Sequence, residues 1–245
     1  MRSVRLCALM LGLSWLVLGA PLASAQTDDA AEGRDIFVTN CASCHGADGA
    51  GTDRGPSLVG VGAASADFYL RTGRMPLANP DAQASHKDPA FPVEEIVAVV
   101  RYVDSLGEGP PIPAVDLEGA DLSNGQSLFI ENCAACHGAT GAGGAVGENA
   151  FAPSLFAATP TEIAEAMIIG PGQMPAFNFI EEDRNDVVNY VVYLRTQPRP
   201  GGADIGGVGP VSEGWVAWIV GMGALTLVAL FIGKSKSAPP GGEPS

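Results

Sequence analysis

Two pentapeptides carry the residues that could do chemistry: Cys41-Ala42-Ser43-Cys44-His45 and Cys133-Ala134-Ala135-Cys136-His137. Both read C-x-x-C-H, the spacing that attaches haem c. Thiols three residues apart lie on one side of a helical turn. They can add to the two vinyl groups of one haem, which leaves the next histidine beneath the iron as its proximal ligand. The two copies use four of the five cysteines and two of the three histidines. A zinc site could draw on the same thiols, but its cysteine pairs usually sit closer together and zinc leaves both histidines unexplained. A redox-active dithiol calls for a strand–helix–strand setting, whereas each motif here follows a short amphipathic helical stretch.

A proximal histidine leaves one axial position open on each iron, and methionine there raises the reduction potential. Met75 and Met174 are the candidates. Each follows its motif, is preceded by Gly-x and is followed by proline. Met167 lacks that context and reads as core. His86, in the polar stretch Asp81–Asp88, is the alternative sixth ligand, against its ordinary reading as a solvated loop histidine. With histidine and methionine on both irons no position is open to a substrate, which favours electron transfer over peroxidase or oxygen chemistry.

The elements that position these groups occur twice. Gly33-Arg34-Asp35-Ile36-Phe37 before Cys41 aligns with Gly125-Gln126-Ser127-Leu128-Phe129 before Cys133. Pro56-Ser57-Leu58 aligns with Pro153-Ser154-Leu155, and Met75-Pro76 with Met174-Pro175. Ala98-Val99-Val100-Arg101-Tyr102-Val103 aligns with Asp186-Val187-Val188-Asn189-Tyr190-Val191. Helix starts are expected at Asp29 (with Glu32), at Ser123 (with Gln126) and at Thr159 (with Glu162), each as a capping box. Phe91–Leu106 reads as a closing helix with an apolar stripe. The loop Gly46–Gly51 suits a backbone that must bend tightly; it lacks the G-K-[ST] of a phosphate loop. No stretch reads as paired alternating strands, so the expected fold is all-α.

The expected organisation is a signal segment at 1–25, a first domain at 26–109, a Pro-rich linker at 110–120 and a second domain at 121–197. A Pro/Gly linker at 198–214, a membrane-spanning helix at 215–233 and a cytoplasmic tail at 234–245 complete the chain. Arg2 and Arg5, the apolar run from Leu6 to Leu18 and Ala23-Ser24-Ala25 mark the signal, with Gln26 as the expected mature start and an uncleaved anchor as the alternative. Trp215–Ile232 is 18 uncharged residues, enough to span about 27 Å. Lys234 and Lys236 follow it, which puts the tail inside and the domains outside the cell. Gly221 and Gly223 could form a helix-packing face, though glycine is common in such helices. Each domain is small enough that a covalent cofactor would staple it, and no disulfide is expected.

Residues 26–214 hold 26 acidic and nine basic side chains, a net −17. That excess disfavours nucleic acid as a partner. It serves solubility or electrostatic docking equally well.

Each repeat resembles a class I cytochrome c domain, over about 29–108 and 121–197. In that family the proline carbonyl of P-S-L receives the proximal histidine's Nδ1–H, a role the resemblance gives to Pro56 and Pro153. The whole arrangement resembles the dihaem cytochrome c subunit of actinobacterial cytochrome bc1 complexes, most closely along Gly209–Trp218 and the Lys234 end. The resemblance implies two covalent haem c groups on Cys41, Cys44, Cys133 and Cys136, with His45, Met75, His137 and Met174 as axial ligands. It also implies cytochrome b, the Rieske iron–sulfur protein and a copper-containing terminal oxidase as partners. The chain would then be an electron-transfer subunit of a quinol–cytochrome c reductase, with no substrate-turnover site of its own. Other readings are a dihaem enzyme, which needs an open iron, a free soluble shuttle, which needs no anchor, and a cbb3-type oxidase subunit, which is typically anchored at its N-terminus.

Overall fold

The structure is a computed structural model that describes residues 24–80, 82–147, 150–197 and 210–234. Of the expected signal segment only Ser24 and Ala25 fall within it. The linker at 198–214 is described from Pro210 on, and the tail only at Lys234.

The described chain gathers into two compact units. One runs through Glu118 and adds Thr159–Asn185; the other joins Gly119–Ala158 to the residues from Asp186 on. The break between Glu118 and Gly119 falls within 110–120, and residues 121–197 contribute to both units. The reason is a contact: helix α7 (Pro160–Ile169) of the second repeat packs on helix α3 (Gly62–Arg71) of the first.

In the first unit α1 (Ser24–Asn40) leads into the single turn α2 (Ala42–His45), and α4 (Val93–Asp104) packs against both α1 and α3. Phe37, Leu70, Ile96, Val99, Val100, Tyr102 and Val103 form the core where these helices meet. Phe37 is fully buried, which contributes about 2–3 kcal/mol of apolar burial. Pro92 stands just before the first turn of α4, where its missing N–H costs nothing, and Glu94 and Glu95 follow at the positive end of the helix dipole. Helix α1 runs straight through Asp29–Glu32, so the capping box expected there does not start it.

In the second unit α5 (Leu122–Asn132) leads into α6 (Ala134–His137), and α8 (Glu181–Thr196) supplies Val187, Val188, Tyr190 and Val191 to the core. The cap of α5 is Asp121, not Ser123: its carboxylate accepts from the backbone N–H groups of Ser123 and Asn124. Asp121 satisfies orphan donors of the first turn from two residues before the expected cap. The box at Thr159 and Glu162 is present as expected, with both reciprocal bonds made.

The described fold is helical as expected, with one small sheet besides. Gly144–Gly147 (β1) and Ala150–Ala152 (β2) pair as a short antiparallel hairpin. Among its glycines and alanines only Val146 and Phe151 favour a strand, too few to signal one, and tertiary position decides it. The hairpin fills the longer path from His137 to Pro153, a sequence separation of 16 against 11 from His45 to Pro56.

Helix α9 (Pro210–Lys234) contains one stretch, Gly214–Gly233, of 20 residues with mean hydropathy 2.2, long and apolar enough to cross a membrane. Trp215 and Trp218 meet edge to face at its start, as interfacial aromatics do.

Candidate functional site

Each C-x-x-C-H is wound into a tight helical turn at the end of the helix before it. The amides of Cys44 and His45 donate to Cys41 O at 3.1 and 3.0 Å, and those of Cys136 and His137 to Cys133 O at 3.2 and 2.9 Å. The turn sets both thiols of a pair on one side and carries the histidine beyond them. None of the four cysteines is in a disulfide. Burial, with a smaller push from the neighbouring thiol, raises Cys41 and Cys133 to about 11, so both are thiols rather than thiolates at neutral pH.

The glycine-rich loop then folds back on the motif. Gly51 N donates to His45 O at 2.7 Å, and Gly143 N to His137 O at 2.8 Å. Both glycines have positive φ, and both lie against the segment that carries the following proline. A Cβ on Gly51 would stand 2.6 Å from Ser57 N, and one on Gly143 2.7 Å from the Pro153 carbonyl carbon. No other residue type allows that approach.

The approach delivers a proline carbonyl to each histidine. His45 Nδ1 donates to Pro56 O at 2.8 Å, and His137 Nδ1 to Pro153 O at 2.9 Å. A proton fixed on Nδ1 leaves Nε2 as a bare lone pair pointing away from the bond, which is the tautomer a metal requires. Burial lowers the pKa of His137, while the bond to Pro153 partly offsets that. Paired thiols beside an imidazole held in this tautomer fit a covalent haem, once in each repeat.

The methionines are placed less directly. Met75 is half-buried against the core of the unit that holds His45, with its amide donating to Tyr69 O at 3.0 Å. Met174 is half-buried in a turn closed by its amide on Pro171 O at 3.2 Å. It belongs to the compact unit that does not contain His137. Met167 is buried in the core, and His86 lies exposed in its loop.

Sequence reasoning passed over Asp186. Its carboxylate accepts from Asp121 N at 2.6 Å and Asn124 Nδ2 at 2.8 Å, which ties α8 to the start of α5 just ahead of the second motif. Its repeat partner, Ala98, gave no signal of such a role.

Residues 30–107 match the family model described as "Cytochrome c", and residues 120–191 match "Cytochrome C oxidase, cbb3-type, subunit III". The chain is 38% identical over 239 residues to the cytochrome bc1 complex cytochrome c subunit of Corynebacterium diphtheriae, covering 88% of this chain and 85% of that one. It is 43% identical over 213 residues to the protein of that name from Mycobacterium tuberculosis, covering 82% and 76%. It is 34% identical over 140 residues, covering 51% and 47%, to the cbb3-type cytochrome c oxidase subunit FixP of Bradyrhizobium diazoefficiens. Cytochrome c domains imply covalently bound haem c and an electron-transfer role in a redox complex. The chain belongs to the family of cytochrome bc1 complex cytochrome c subunits.

Proposed function

We propose that the chain is a membrane-anchored carrier with two haems, taking electrons from the Rieske centre of a cytochrome bc1 complex and delivering them to the copper site of a terminal oxidase. The observation that carries this is the repetition in one chain of a Cys-Cys-His turn whose histidine is held by a proline carbonyl. A bound haem c supplies one-electron cycling between ferric and ferrous iron. Cys41 and Cys44 hold the first haem and Cys133 and Cys136 the second. His45 and His137 would present Nε2 to the irons, their rings fixed by Pro56 and Pro153. Met75 and Met174, each at the matched Met-Pro of its repeat, would be the remaining ligands.

The span Gly214–Gly233 anchors the chain, and the lysines after it set the haem domains on the extracytoplasmic side. No quinone-oxidising or oxygen-reducing group is legible among these residues, so partners supply both half-reactions. Cytochrome b and the Rieske protein feed the chain; the copper-containing oxidase subunit drains it. Anchoring replaces diffusion with a high effective concentration at both partners. The match of 120–191 to an oxidase subunit model favours, as the second reading, an oxidase's own dihaem subunit.

The test uses isolated membranes. Quinol oxidation by oxygen is expected to proceed without added soluble cytochrome c, and removal of residues 210–245 to release a soluble two-haem protein and abolish the activity. Full activity with the truncated chain overturns the anchored reading. Co-purification in mild detergent with an oxidase but without cytochrome b would favour the second.

A further inference from the structure

Helices α3 and α7 meet through carboxylates. Asp67 on α3 is 2% exposed and Glu165 on α7 is fully buried. Both oxygens of Asp67 accept from Arg71 Nε at 2.8 Å, so that arginine neutralises Asp67. Glu165 lies within hydrogen-bonding reach of Asp67, yet neither of its oxygens has a donor among the described residues. Arg71 acts on Glu165 only through space, and Glu162, one turn earlier on α7, adds a like charge. Glu162 is engaged with Thr159 N at 2.8 Å and faces Arg74, whose guanidinium lies over the Phe68 ring at 4.7 Å.

As two carboxylates, Asp67 and Glu165 would set acceptor against acceptor in a buried contact, an arrangement that is unfavourable both by desolvation and by repulsion. A single proton resolves it. Glu165 then donates an O–H bond to Asp67, which stays ionised beside Arg71, and an acid–carboxylate bond of this kind is short and strong. Burial raises Glu165 first, the charge and hydrogen bond of Asp67 and the charge of Glu162 raise it further, and Arg71 opposes them; the result is about 9.

We propose that Asp67 and Glu165 share one proton, and that this proton latches helix α7 of the second repeat onto helix α3 of the first. The latch involves none of the haem-binding residues. Loss of the proton leaves a second buried negative charge in the contact, and α7 lifts from α3. The sign follows from linkage: the docked state binds the proton more tightly than the open state, so docking is strongest at acid pH and weakens as pH rises towards the raised value.

The test is hydrogen exchange of the full-length, haem-loaded chain in detergent, read on peptides covering Pro160–Ile169. After correction for the intrinsic pH dependence of exchange, the opening constant of α7 is expected to rise by up to about tenfold per pH unit between 4.5 and about 9, then level off. Glu165→Gln keeps a donor towards Asp67 without a titrating proton, and its opening constant is expected to stay flat over that range. A flat wild-type profile, or the wild-type slope retained in Glu165→Gln, overturns the latch. Infrared spectroscopy of the wild-type protein supplies a reading that needs no variant. A deuterium-sensitive stretch of a protonated carboxyl is expected at neutral pH and is lost on raising the pH past about 9; its absence at neutral pH overturns the proposal.

Discussion

Gly33 on α1 lies flat against the backbone of Ala98 on α4: a Cβ added at Gly33 would overlap the Ala98 carbonyl oxygen. The second repeat makes the same crossing at the aligned positions, where a Cβ on Gly125 would overlap the carbonyl oxygen of Asp186. One turn further along, Phe37 packs on Tyr102 with ring centroids 5.1 Å apart, and Phe129 on Tyr190 at 5.4 Å. Each crossing therefore pins the helix that leads into a C-x-x-C-H motif. The glycine sets how close the two helices come, and the aromatic pair fills the space beside it.

Gly33→Ala and Gly125→Ala should each cost about 1–3 kcal/mol or more, because the clash is with backbone that cannot rotate away. Denaturant melts of the haem-loaded chain would read this. Gly221→Ala, where a Cβ meets nothing within 4 Å, is the control and should leave stability unchanged. Equal stability of all three variants would show that the crossings tolerate a wider spacing.

How much of this was legible beforehand differs from element to element. The motif turns, the repeat and the apolar span rest on spacing and composition, and they stand out in one dimension. The repeat alignment paired Gly33 with Gly125 and Ala98 with Asp186, but not Gly33 with Ala98, since a crossing contact leaves no periodic trace. Asp121 and Ser123 compete for the same cap, and sequence alone favoured the wrong one. The paired strands Gly144–Gly147 and Ala150–Ala152 hold only Val146 and Phe151 as strand formers. Glu165 carries no local sequence mark of burial, and the approach of α3 encloses it.

The histidine–proline bonds can be probed through the glycines that permit them. Gly51→Ala and Gly143→Ala, both at positive φ and both pressed on the proline segment, should lengthen the bond to His45 or His137 respectively. A histidine that loses its acceptor is a weaker donor to the iron, so the reduction potential of the affected haem should rise while the other stays put. Electron-transfer rate should fall by about 10- to 100-fold. Redox titration resolves the two haems; unchanged potentials in both variants would show that the carbonyl does not tune the ligand.

Met75→His and Met174→His should each lower the potential of one haem, since a second imidazole stabilises ferric iron more than a thioether does. The absorption signature of methionine-ligated low-spin iron should halve in each single variant and vanish in the double. A wild-type protein without that signature would instead direct attention to His86 or to an open iron.

The buried acid gives a substitution whose effect changes sign with pH. Glu165→Ala removes a side chain that is fully enclosed, together with its hydrogen bond to Asp67. At acid pH, where Glu165 is protonated both folded and unfolded, only that loss is felt, and the variant should be less stable by about 1–3 kcal/mol. Above 4.5 the unfolded wild-type chain releases the proton that the folded chain retains up to about 9. Folding of the wild type then becomes less favourable by up to about 1.4 kcal/mol for each pH unit. The alanine variant has no such proton to retain, so its deficit should shrink as pH rises and then reverse, leaving it the more stable protein on the alkaline side. Denaturant melts of both chains at matched pH values would show the curves crossing. Parallel curves would mean that Glu165 is ionised in the folded protein and that Arg71 serves both carboxylates.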